Sequence, residues 1–497
     1  MTIELEPLLD RAQSRQVDQT LAARGVVTAL LMENAGRGAA EHVARIARAR
    51  GVRHIDVLCG PGNNGGDGLV VTRHLLTQGF VARAFALEPL SRWSGDAAIM
   101  RDALLAVAPT AIVHWDDGAD GVVADAPLVV DALFGTGLSR PLEGRAAQAV
   151  HSLIGRAVIA LDCPSGLDID TASALGAAPR AEATVAFATS KPGLHTGEGL
   201  MLAGEVFVAH LGFVAPISDE RTWLVRRCAL EPRARQTHKG TAGRVLVVAG
   251  SDGTAGAGWL SCLGAHRGGA GLVTLATRAR DRASPILETM TLALSNDERE
   301  AVSALSVAAE RADCIVVGPG LGRDPWARAM VDAVVASSAP LVVDADALSL
   351  IAEGPTPLRS QTILTPHPLE AARMLGQSSA IAINADRFGA AREIARRFEA
   401  VTLLKGAGTI IAHPDGRAWV LPFAEPTLAV AGSGDVLAGV IGARLAERSA
   451  SPTWHEAAIE AAYAHGAAGA ALRATRGSGR GALAHEIADA IRFDERS

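Results

Sequence analysis

The sequence predicts an α/β protein built from two domains, each with a parallel β-sheet covered by helices on both faces. Three observations support this prediction. The chain has 497 residues, more than one hydrophobic core usually supports. Short runs rich in Val, Ile, Leu and Ala alternate with segments of helical periodicity. This alternation lapses around residues 212–240, where charged residues, Pro and Gly accumulate, and then starts again.

The predicted helices and strands follow one another in a regular order. In the first half, helical segments at 8–23 and 31–50 precede strand-like runs at 54–60, 81–87, 128–135, 157–163 and 184–189. In the second half, strand-like runs occur at 244–251, 271–277, 314–320, 341–346, 362–366, 401–406 and 409–414, with helical segments such as 325–337 and 385–400 between them. Continuous apolar runs are typical of parallel strands buried on both faces. We therefore predict an N-terminal domain over 1–218, a linker over 219–236 and a C-terminal domain over 237–497.

Composition and charge favour a cytoplasmic enzyme that acts on small molecules. The formal net charge is −6 with both signs interspersed, so there is no basic stripe for nucleic acid or for an anionic membrane surface. The 5 cysteines are scattered without C-x-x-C spacing, which indicates neither a disulfide framework nor a structural zinc site. Residues 1–16 lack the apolar core of a signal peptide, and no run of about 18 apolar residues occurs. We expect no nucleic-acid or membrane partner, and a homo-oligomer.

The loop "CGPGNNGGDG" at 59–68 is the first candidate binding site. Gly60, Gly62 and Gly65 have the G-x-G-x-x-G spacing by which a backbone approaches a dinucleotide pyrophosphate, between a strand-like and a helix-like segment. Glu88, after the next strand, lies at about the sequence distance expected for a ribose contact. An NAD-dependent dehydrogenase is therefore one interpretation. It leaves three polar residues of the loop unexplained, Asn63, Asn64 and Asp67.

Polar side chains follow four strand-like runs of the first half, at the edge where an open parallel sheet binds its ligands. They are Asn63, Asn64, Asp67, Asp131, Asp162, Ser165 and Lys191. One such cluster is more often turn or helix-capping chemistry, but four at one edge favour a site. Asn, Asp and Ser oxygens form a hard cage suited to a cation, and Asp162 with Lys191 can transfer protons. No set of residues for alcohol oxidation stands out, which counts against the dehydrogenase.

Five motifs of the first half, "LMENAG", "GPGNNGGDG", "DALFGTG", "LDCPSGLD" and "SKPG", make residues 10–215 similar to the NAD(P)H-hydrate epimerase family. The resemblance implies a Rossmann-like three-layer sandwich that interconverts the R and S forms of hydrated NADH or NADPH (NADHX and NADPHX). The dinucleotide would then be the substrate and not a cofactor. Cys163 stands where the family usually has Ile or Val, which is a conservative apolar exchange.

The same resemblance implies roles for individual residues. Asp162 would be the acid/base beside the hydroxylated ring, and Lys191 is the second predicted catalytic residue of this half. A potassium ion would be held by Asn64, Asp131 and Ser165. The substrate would contact Asp162 together with Asn63, Asn64, Gly65, Gly66, Asp67, Gly135, Thr136, Gly137, Leu138, Ser139, Arg140 and Pro141.

The second half carries a phosphate site made of two glycine loops, "LLKGAGT" at 403–409 and "AGSGDVLAG" at 431–439. The second loop opens a helix, whose free N–H groups and positive dipole end suit a transferring phosphoryl group. We favour Asp435 as the base that deprotonates a substrate hydroxyl over a mere dipole partner, and Lys405 as a phosphate contact. His367, between two prolines, is either a turn residue or a ligand contact. No G-x-x-x-x-G-K-[ST] motif occurs, which excludes a P-loop template.

Three further motifs, "THKGTAGRVLVVAGS", "TPHPLE" and "KGAGT", make residues 225–497 similar to the ribokinase-like ADP- or ATP-dependent NAD(P)H-hydrate dehydratases. This resemblance implies that the ring hydroxyl is phosphorylated, with Asp435 as base and the amides of 432–434 stabilising charge, and that phosphate then leaves. Mg²⁺ would accompany the nucleotide. The hydrate would contact Ala257, Gly320, His367 and Asp435. ADP or ATP would bind Lys405, Gly406, Ala407, Gly408, Thr409 and Gly434.

One stretch departs from the dehydratase family. The family usually has G-N-x-G-M-A-T-G-G-T-G-D before the catalytic helix, whereas this chain has "FAEPTLAVAGSGD". Glu425, Pro426 and Thr427 replace the Asn and its neighbouring Gly. We expect the altered stretch at 424–429 to change a local nucleotide or substrate contact, and with it the dehydratase activity, without a change of fold.

Together the two resemblances predict a bifunctional enzyme that epimerises NAD(P)H hydrate and dehydrates the S form with ADP or ATP. Three alternatives remain. They are the NAD-dependent dehydrogenase, a vitamin-precursor kinase that releases a stable phosphorylated product, and a first domain that serves only as a binding module. Asp162 and Lys191 favour a catalytic first domain over a binding module.

Overall fold

The computed structural model describes residues 2–115, 126–217, 219–280, 284–354, 358–447 and 453–495. The chain divides into two compact units, Pro7–Thr222 and a second unit that combines Met1–Glu6 with Trp223–Ser497. Residue 218, the expected end of the N-terminal domain, lies outside the described residues.

The first unit is a seven-stranded parallel sheet with strand order β4-β3-β2-β5-β6-β7-β8. Its strands are β2 His54–Cys59, β3 Val81–Ala86, β4 Ile112–His114, β5 Leu128–Ala132, β6 Val158–Leu161, β7 Ala183–Phe187 and β8 Glu205–Ala209. Its helices are α1 Arg11–Ala23, α2 Thr28–Ala49, α3 Asn63–Thr77, α4 Gly95–Val107, α5 Gly144–His151 and α6 Gly199–Leu202, with 3₁₀ turns at Leu90–Arg92 and Pro192–Leu194.

Side chains of the central strands alternate between two helical layers. Val57 and Val130 pack in a core with α2, α3 and α4, whereas Leu58 and Val129 pack in a second core with α5. Because both faces are covered, β5 and β6 are buried along their whole length, which explains their continuous apolar sequences. The predicted three-layer α/β arrangement is confirmed for this unit.

The second unit contains one larger mixed sheet, ordered β1-β9-β18-β17-β16-β15-β14-β13-β10-β11-β12, with β19 paired to β9. The strands are β1 Thr2–Pro7, β9 Thr222–Leu230, β10 Arg244–Val248, β11 Leu272–Thr277, β12 Met290–Ala293, β13 Cys314–Val317, β14 Leu341–Val343, β15 Thr362–Leu364, β16 Val401–Leu404, β17 Ile410–Ala412, β18 Ala418–Val420 and β19 Asp494–Glu495. Strand β9 lies within the segment 219–236 that we expected to be a linker, and β1 joins this sheet although it precedes the first unit in sequence.

The helices of the second unit cover both faces of its sheet. They are α7 Ala255–Arg267, α8 Glu298–Ala309, α9 Pro325–Ala336, α10 Ala345–Glu353, α11 Pro368–Met374, α12 Ala380–Ala385, α13 Arg387–Phe398, α14 Ser433–Ala446, α15 Trp454–Arg476 and α16 Ala484–Ala490, with a 3₁₀ turn at Pro426–Leu428. In the part of the sheet ordered β16-β15-β14-β13-β10-β11-β12, each pair of neighbouring strands is parallel, as predicted. Strand β17 instead runs antiparallel to β16. Only residues 405–409 connect these two strands, which is too short for a parallel crossover.

Helix α14 packs against α7 with almost no space between the two backbones. A Cβ atom at Gly439 would overlap the carbonyl oxygen of Ser261, and one at Gly264 would overlap that of Val436. This close packing holds α14, whose first turn carries Asp435, against the central strands. Among the described residues, no helix is both long and apolar enough to cross a membrane.

Candidate active sites

The first unit contains a cavity of about 940 Å³ at the carboxyl ends of its strands. The structure brings most of the predicted residues of the first half to its wall. They are Asn63, Asn64, Asp67, Gly135, Thr136, Gly137, Leu138, Ser139, Arg140, Pro141, Asp162 and Lys191. Gly65, Gly66, Asp131 and Ser165 are not among the lining residues. Glu88 is not among them either, and its carboxylate accepts a hydrogen bond from Arg92 at 2.9 Å.

Helix α3 points its first turn at this cavity. Gly66 N–H donates to the Gly62 carbonyl (3.1 Å), so the amides of Asn63, Asn64 and Gly65 precede the helical hydrogen bonds. No atom lies within 4 Å of the Cβ position at Gly62, which leaves room for a ligand beside these amides. Free amides and the positive end of the helix dipole make this turn suitable for a phosphate group.

Three other glycines of the loop have a packing role. A Cβ atom at Gly65 would overlap the carbonyl oxygen of Gly60, and one at Gly60 would overlap that of Leu133. At Gly66 it would lie 2.6 Å from the Met32 sulfur. Part of the dinucleotide-like glycine spacing therefore reflects close contact between α3 and its neighbours.

Asp162 and Lys191 form a buried pair at the cavity wall. The Asp162 Oδ1 atom lies 3.9 Å from Lys191 Nζ, and Asp162 Oδ2 accepts a hydrogen bond from Thr136 N–H (2.8 Å). Lys191 Nζ also donates to the carbonyls of Phe187 (2.9 Å) and Thr189 (2.8 Å). Burial lowers the pKa of Lys191, although Asp162 opposes this effect. Asp162 has φ +65°, a strained value for a residue other than glycine, which indicates that its placement is enforced by the surrounding structure.

The three predicted cation residues are grouped around the backbone at 134–135. Ser165 Oγ donates to Asp131 Oδ1 (2.6 Å) and accepts from Phe134 N–H (2.9 Å), while Asn64 Cγ lies 3.3 Å from the Cβ position of Gly135. Burial raises the pKa of Asp131 to about 6. Both amide atoms of Asn64 are buried without a hydrogen-bond partner among the described residues. An unpaired amide oxygen beside carboxylate and hydroxyl oxygens fits a hard cation such as K⁺.

Helix α1 contributes residues to this site that the sequence motifs did not reveal. Arg11 donates to the carbonyls of Thr136 (2.8 Å) and Leu138 (2.7 Å), which attaches α1 to the loop at 135–141. Asp18, two turns further along α1, lines the cavity. Burial raises the pKa of Asp18, and the nearby Asp162 carboxylate adds to the effect. The sequence predicts only a helix here, because an isolated Asp on a helix carries no motif.

The site of the second unit lies at the first turn of α14. Gly432 caps the helix with φ +90°, and Val436 N–H donates to the Gly432 carbonyl (3.0 Å). The amides of Gly434 and Asp435 precede the helical hydrogen bonds, as an anion site requires, whereas Ser433 N–H donates to the Val430 carbonyl (3.3 Å).

Lys405 lies beside this turn, within a cluster of carboxylates. Its Nζ atom is 2.6 Å from Asp344 Oδ1 and 3.9 Å from Glu370 Oε2, and it lies 3.4 Å from the Cβ position of Gly434. Burial disfavours the charged ammonium, but Asp344 and Glu370 outweigh burial and raise the pKa of Lys405. Burial and the Asp344 carboxylate raise the pKa of Asp435 to about 7. Burial also raises the pKa of Glu370 to about 7. Asp344 and Glu370 were not among the predicted site residues.

The structure also brings the other predicted hydrate contacts to this end of the sheet. His367 caps α11, where its Nδ1 accepts from Leu369 N–H (3.1 Å) and Glu370 N–H (3.3 Å). Gly320 has φ +59°, and its Cβ position is 3.1 Å from Ala257 Cβ.

The loop at 405–409 turns through Gly406 (φ +141°) and Gly408 (φ +61°), and Thr409 Oγ1 donates to the Gly406 carbonyl (2.9 Å). Arg387 holds the start of this loop through a hydrogen bond to its backbone. It is buried, and its guanidinium donates to the Lys405 carbonyl (3.2 Å). Arg387 belongs to a helix with an ordinary polar and apolar pattern, so nothing in the sequence marked it.

The stretch that departs from the dehydratase pattern is used for packing against α15. Glu425 accepts two hydrogen bonds from Arg473, at 2.9 and 3.0 Å. The 3₁₀ turn Pro426–Leu428 follows, and Leu428 lies against Gly469 of α15. Thr427 is buried, and its hydroxyl has no hydrogen-bond partner among the described residues.

Comparisons with known proteins assign both halves. Residues 28–193 match the family model described as YjeF-related protein N-terminus, and residues 245–492 match the model described as NAD(P)H-hydrate dehydratase. The bifunctional NAD(P)H-hydrate repair enzyme of Moorella thermoacetica is 38% identical over 514 residues, which covers 98% of this chain and 96% of the relative. The enzyme of that name from Escherichia coli is 38% identical over 451 residues, covering 88% and 84%.

Solved structures resemble the C-terminal half. The ADP/ATP-dependent NAD(P)H-hydrate dehydratase from Bacillus subtilis, co-crystallised with ATP/Mg²⁺, is 34% identical with a TM-score of 0.46, and the match covers 53% of this chain and 92% of that structure. The curated relatives match nearly the whole chain, and the two family models match its first and second halves. The chain therefore belongs to the family of bifunctional NAD(P)H-hydrate repair enzymes.

Proposed function

We propose that the first unit interconverts the R and S hydrates of NADH and NADPH in its cavity, and that the second unit returns the S hydrate to the reduced dinucleotide with ADP or ATP. The observation that carries the first half of this proposal is the Asp162–Lys191 pair in the wall of a 940 Å³ cavity, next to the open first turn of α3. A cavity of this size suits a dinucleotide-sized ligand.

In the first cavity, the amides at the start of α3 bind the pyrophosphate of the hydrate, and the loop at 135–141 contacts the rest of the nucleotide. Asp162 exchanges protons with the ring hydroxyl, and Lys191 keeps the Asp162 side chain oriented. Asn64, Asp131 and Ser165 would hold K⁺, whose charge would offset that of the buried Asp131 carboxylate beside the backbone at 134–135. Arg140 and Pro141 belong to the same substrate loop.

In the second site, Asp435 accepts the proton of the hydrate hydroxyl, and that oxygen attacks the terminal phosphorus of the nucleotide. A new O–P bond forms while ADP leaves from ATP, or AMP from ADP. Lys405 and the amides of Gly432 and Gly434 stabilise the transferring phosphoryl group. The ring nitrogen then expels phosphate, and loss of a proton from the adjacent carbon restores the double bond. Asp344 and Glu370 would supply carboxylate oxygens to a nucleotide-bound Mg²⁺, which would offset phosphate charge there.

The remaining residues of the second site have binding roles in this proposal. Ala257, Gly320 and His367 contact the hydrate, and Gly406, Ala407, Gly408 and Thr409 bind the nucleotide together with Lys405 and Gly434. His367 contacts the hydrate through the part of its ring that is not engaged in capping α11. Burial lowers the pKa of His367, so the imidazole stays neutral.

We further propose a cytoplasmic homo-oligomer. All cysteines of the chain, Cys59, Cys163, Cys228, Cys262 and Cys314, are free and buried, which suits a reducing compartment. Sedimentation velocity of the purified chain tests the oligomer.

One experiment tests both activities. Purified enzyme receives a mixture of R and S hydrate with Mg²⁺ and either ADP or ATP, and recovery of NADH or NADPH is followed by its absorbance. We expect complete recovery from the wild type and recovery limited to the S fraction from Asp162→Asn. Asp435→Asn should recover nothing while still interconverting R and S. Recovery limited to S in the wild type would remove the epimerase activity, and no recovery with either nucleotide would remove the dehydratase activity.

A further inference from the structure

The chemistry of epimerisation places a demand on the first cavity that one acid/base residue does not meet. Hydration of the electron-rich ring double bond puts the hydroxyl on the carbon bonded to the ring nitrogen. Inverting that carbon requires the C–O bond to break as the oxygen takes a proton and the nitrogen lone pair forms a C=N bond. Water then adds to the opposite face and gives up a proton. Two proton transfers on two faces of the ring are needed, and Asp162 serves one face.

Asp67 is the residue of the cavity wall that has the properties of a second group. It lies on α3, lines the cavity and is only 7% exposed. Its carboxyl makes no hydrogen bond or ion pair with any of the described residues, in contrast to Asp162, which pairs with Thr136 N–H and Lys191. A carboxyl that is buried, unpartnered and directed at a ligand cavity costs stability, so a function is the physical reason to retain it.

The charges around Asp67 explain which protonation state it adopts. Asp18 and Asp162 act on Asp67 as like charges, and Lys191 is the cation that interacts with both of them. Burial first, and then these two carboxylates, raise the pKa of Asp67 well above its ordinary value. Asp67 therefore favours its protonated form, whereas the Asp162 carboxyl lies 3.9 Å from the Lys191 ammonium. This is the arrangement of one acid and one base that inversion requires.

We propose that Asp67 is a catalytic residue of the epimerase cavity, acting on the ring face opposite to that served by Asp162. This inference rests on the proposed epimerase function. In one direction, Asp67 gives its proton to the leaving hydroxyl, which departs as water, and a second water adds from the Asp162 side while Asp162 takes its proton. The reverse direction returns the proton to Asp67. Each inversion therefore replaces the oxygen of the ring hydroxyl group with an oxygen from solvent water and consumes no oxidant or reductant.

The test measures R/S interconversion over a blank without enzyme, for Asp67→Asn, Asp102→Asn and the wild type. Asp67→Asn keeps the size of the side chain and removes its acid/base function. We expect its kcat to fall by about 10² to 10⁴ with little change in KM. Asp102, an exposed carboxylate of α4 that does not line the cavity, is the control for loss of one carboxylate, so Asp102→Asn should retain wild-type interconversion.

Two further measurements separate catalysis from a structural role. Wild-type kcat should fall at high pH as Asp67 loses its proton, and the residual activity of Asp67→Asn should lack this fall. In H₂¹⁸O, wild-type inversion should introduce one solvent oxygen per event. A folded Asp67→Asn variant with more than a tenth of wild-type kcat, or inversion without ¹⁸O uptake, overturns the proposal. A wild type that does not interconvert the hydrates instead overturns the proposed epimerase function.

Discussion

At the scale of single residues, we expect the protonation of Asp435 to set the pH dependence of the dehydratase. Burial and Asp344 raise its pKa to about 7, and only the ionised carboxylate can accept the hydroxyl proton. Because protonation removes the base, we expect dehydratase kcat to decline as the pH falls through about 7 and to level off above it. A pH profile of kcat with saturating S hydrate and ATP measures this. A kcat that stays constant while the pH drops to about 5 would contradict the assignment of Asp435 as base.

The proposed potassium site at Asn64 and Asp131 leads us to expect that K⁺ raises the free energy of unfolding. Because burial raises the pKa of Asp131 to about 6, the folded state holds this proton more tightly than the unfolded state, and the free energy of unfolding falls as the pH rises from about 4 to about 6. Bound K⁺ offsets the ionised carboxylate above that range. At 100 times its Kd, the ion should add about 2.7 kcal/mol to the free energy of unfolding.

The measurement compares the thermal unfolding of the chain at pH 7.5 in KCl and in N-methylglucamine chloride of equal ionic strength. The first unit should melt higher in KCl, and Asn64→Leu should abolish the difference because it removes the unpaired amide oxygen. Equal melting temperatures in the two salts would argue against a potassium site.

At the scale of elements, the sequence predicted buried strands well and exposed strands poorly. Strands such as β5 and β13 were predicted because burial on both faces demands continuous apolar runs. Strand β12 was missed because it is a largely exposed edge strand, and β4 because its three residues are only partly buried and show no continuous apolar run. The direction of β17 was also missed, because its apolar sequence is the same for a parallel and an antiparallel strand. The short connection to β16 is the feature that indicates a hairpin.

Two glycines at the start of α3 have different expected roles, Gly65 in packing and Gly62 in ligand binding. Gly65→Ala would overlap the Gly60 carbonyl and push α3 away from β2, which should cost on the order of 3 kcal/mol of stability. Gly62→Ala places its methyl group in open space, and its backbone, with φ −96°, tolerates alanine. We expect Gly62→Ala to unfold within about 1 kcal/mol of the wild type, but to raise the KM of epimerisation by obstructing the first-turn amides.

Denaturant unfolding and epimerase kinetics of the two variants check this difference. Equal destabilisation by both substitutions would mean that Gly62 also has a packing role. An unchanged KM in Gly62→Ala would mean that the substrate does not approach this turn.

At the scale of the whole molecule, motifs predicted both sites because their residues follow strands whose carboxyl ends meet at one edge of a sheet. Asn63, Asp162, Lys405 and Asp435 were predicted as site residues in this way. Asp18 and Arg387 were not, since each lies on a helix that reaches its site only through the tertiary fold. Glu370 lay inside a quoted motif, yet its proximity to Lys405 is visible only in the structure.

The division into two units predicts that the two activities can be supplied by separate molecules. Asp162→Asn should dehydrate only the S hydrate, and Asp435→Asn should only interconvert R and S. The hydrate is a soluble intermediate, so a mixture of the two variants should recover the reduced dinucleotide from both forms. We expect complete recovery from the mixture with ATP, at a rate that rises with the concentration of Asp435→Asn until dehydration limits it.

The same assay with each variant alone, at twice the concentration, is the control for residual activity. Recovery that stops at the S fraction in the mixture would mean that the epimerised hydrate is not released from the first cavity in a form that another molecule can use. Because each unit has its own hydrophobic core and its own group of predicted site residues, we expect exchange of the hydrate through solution.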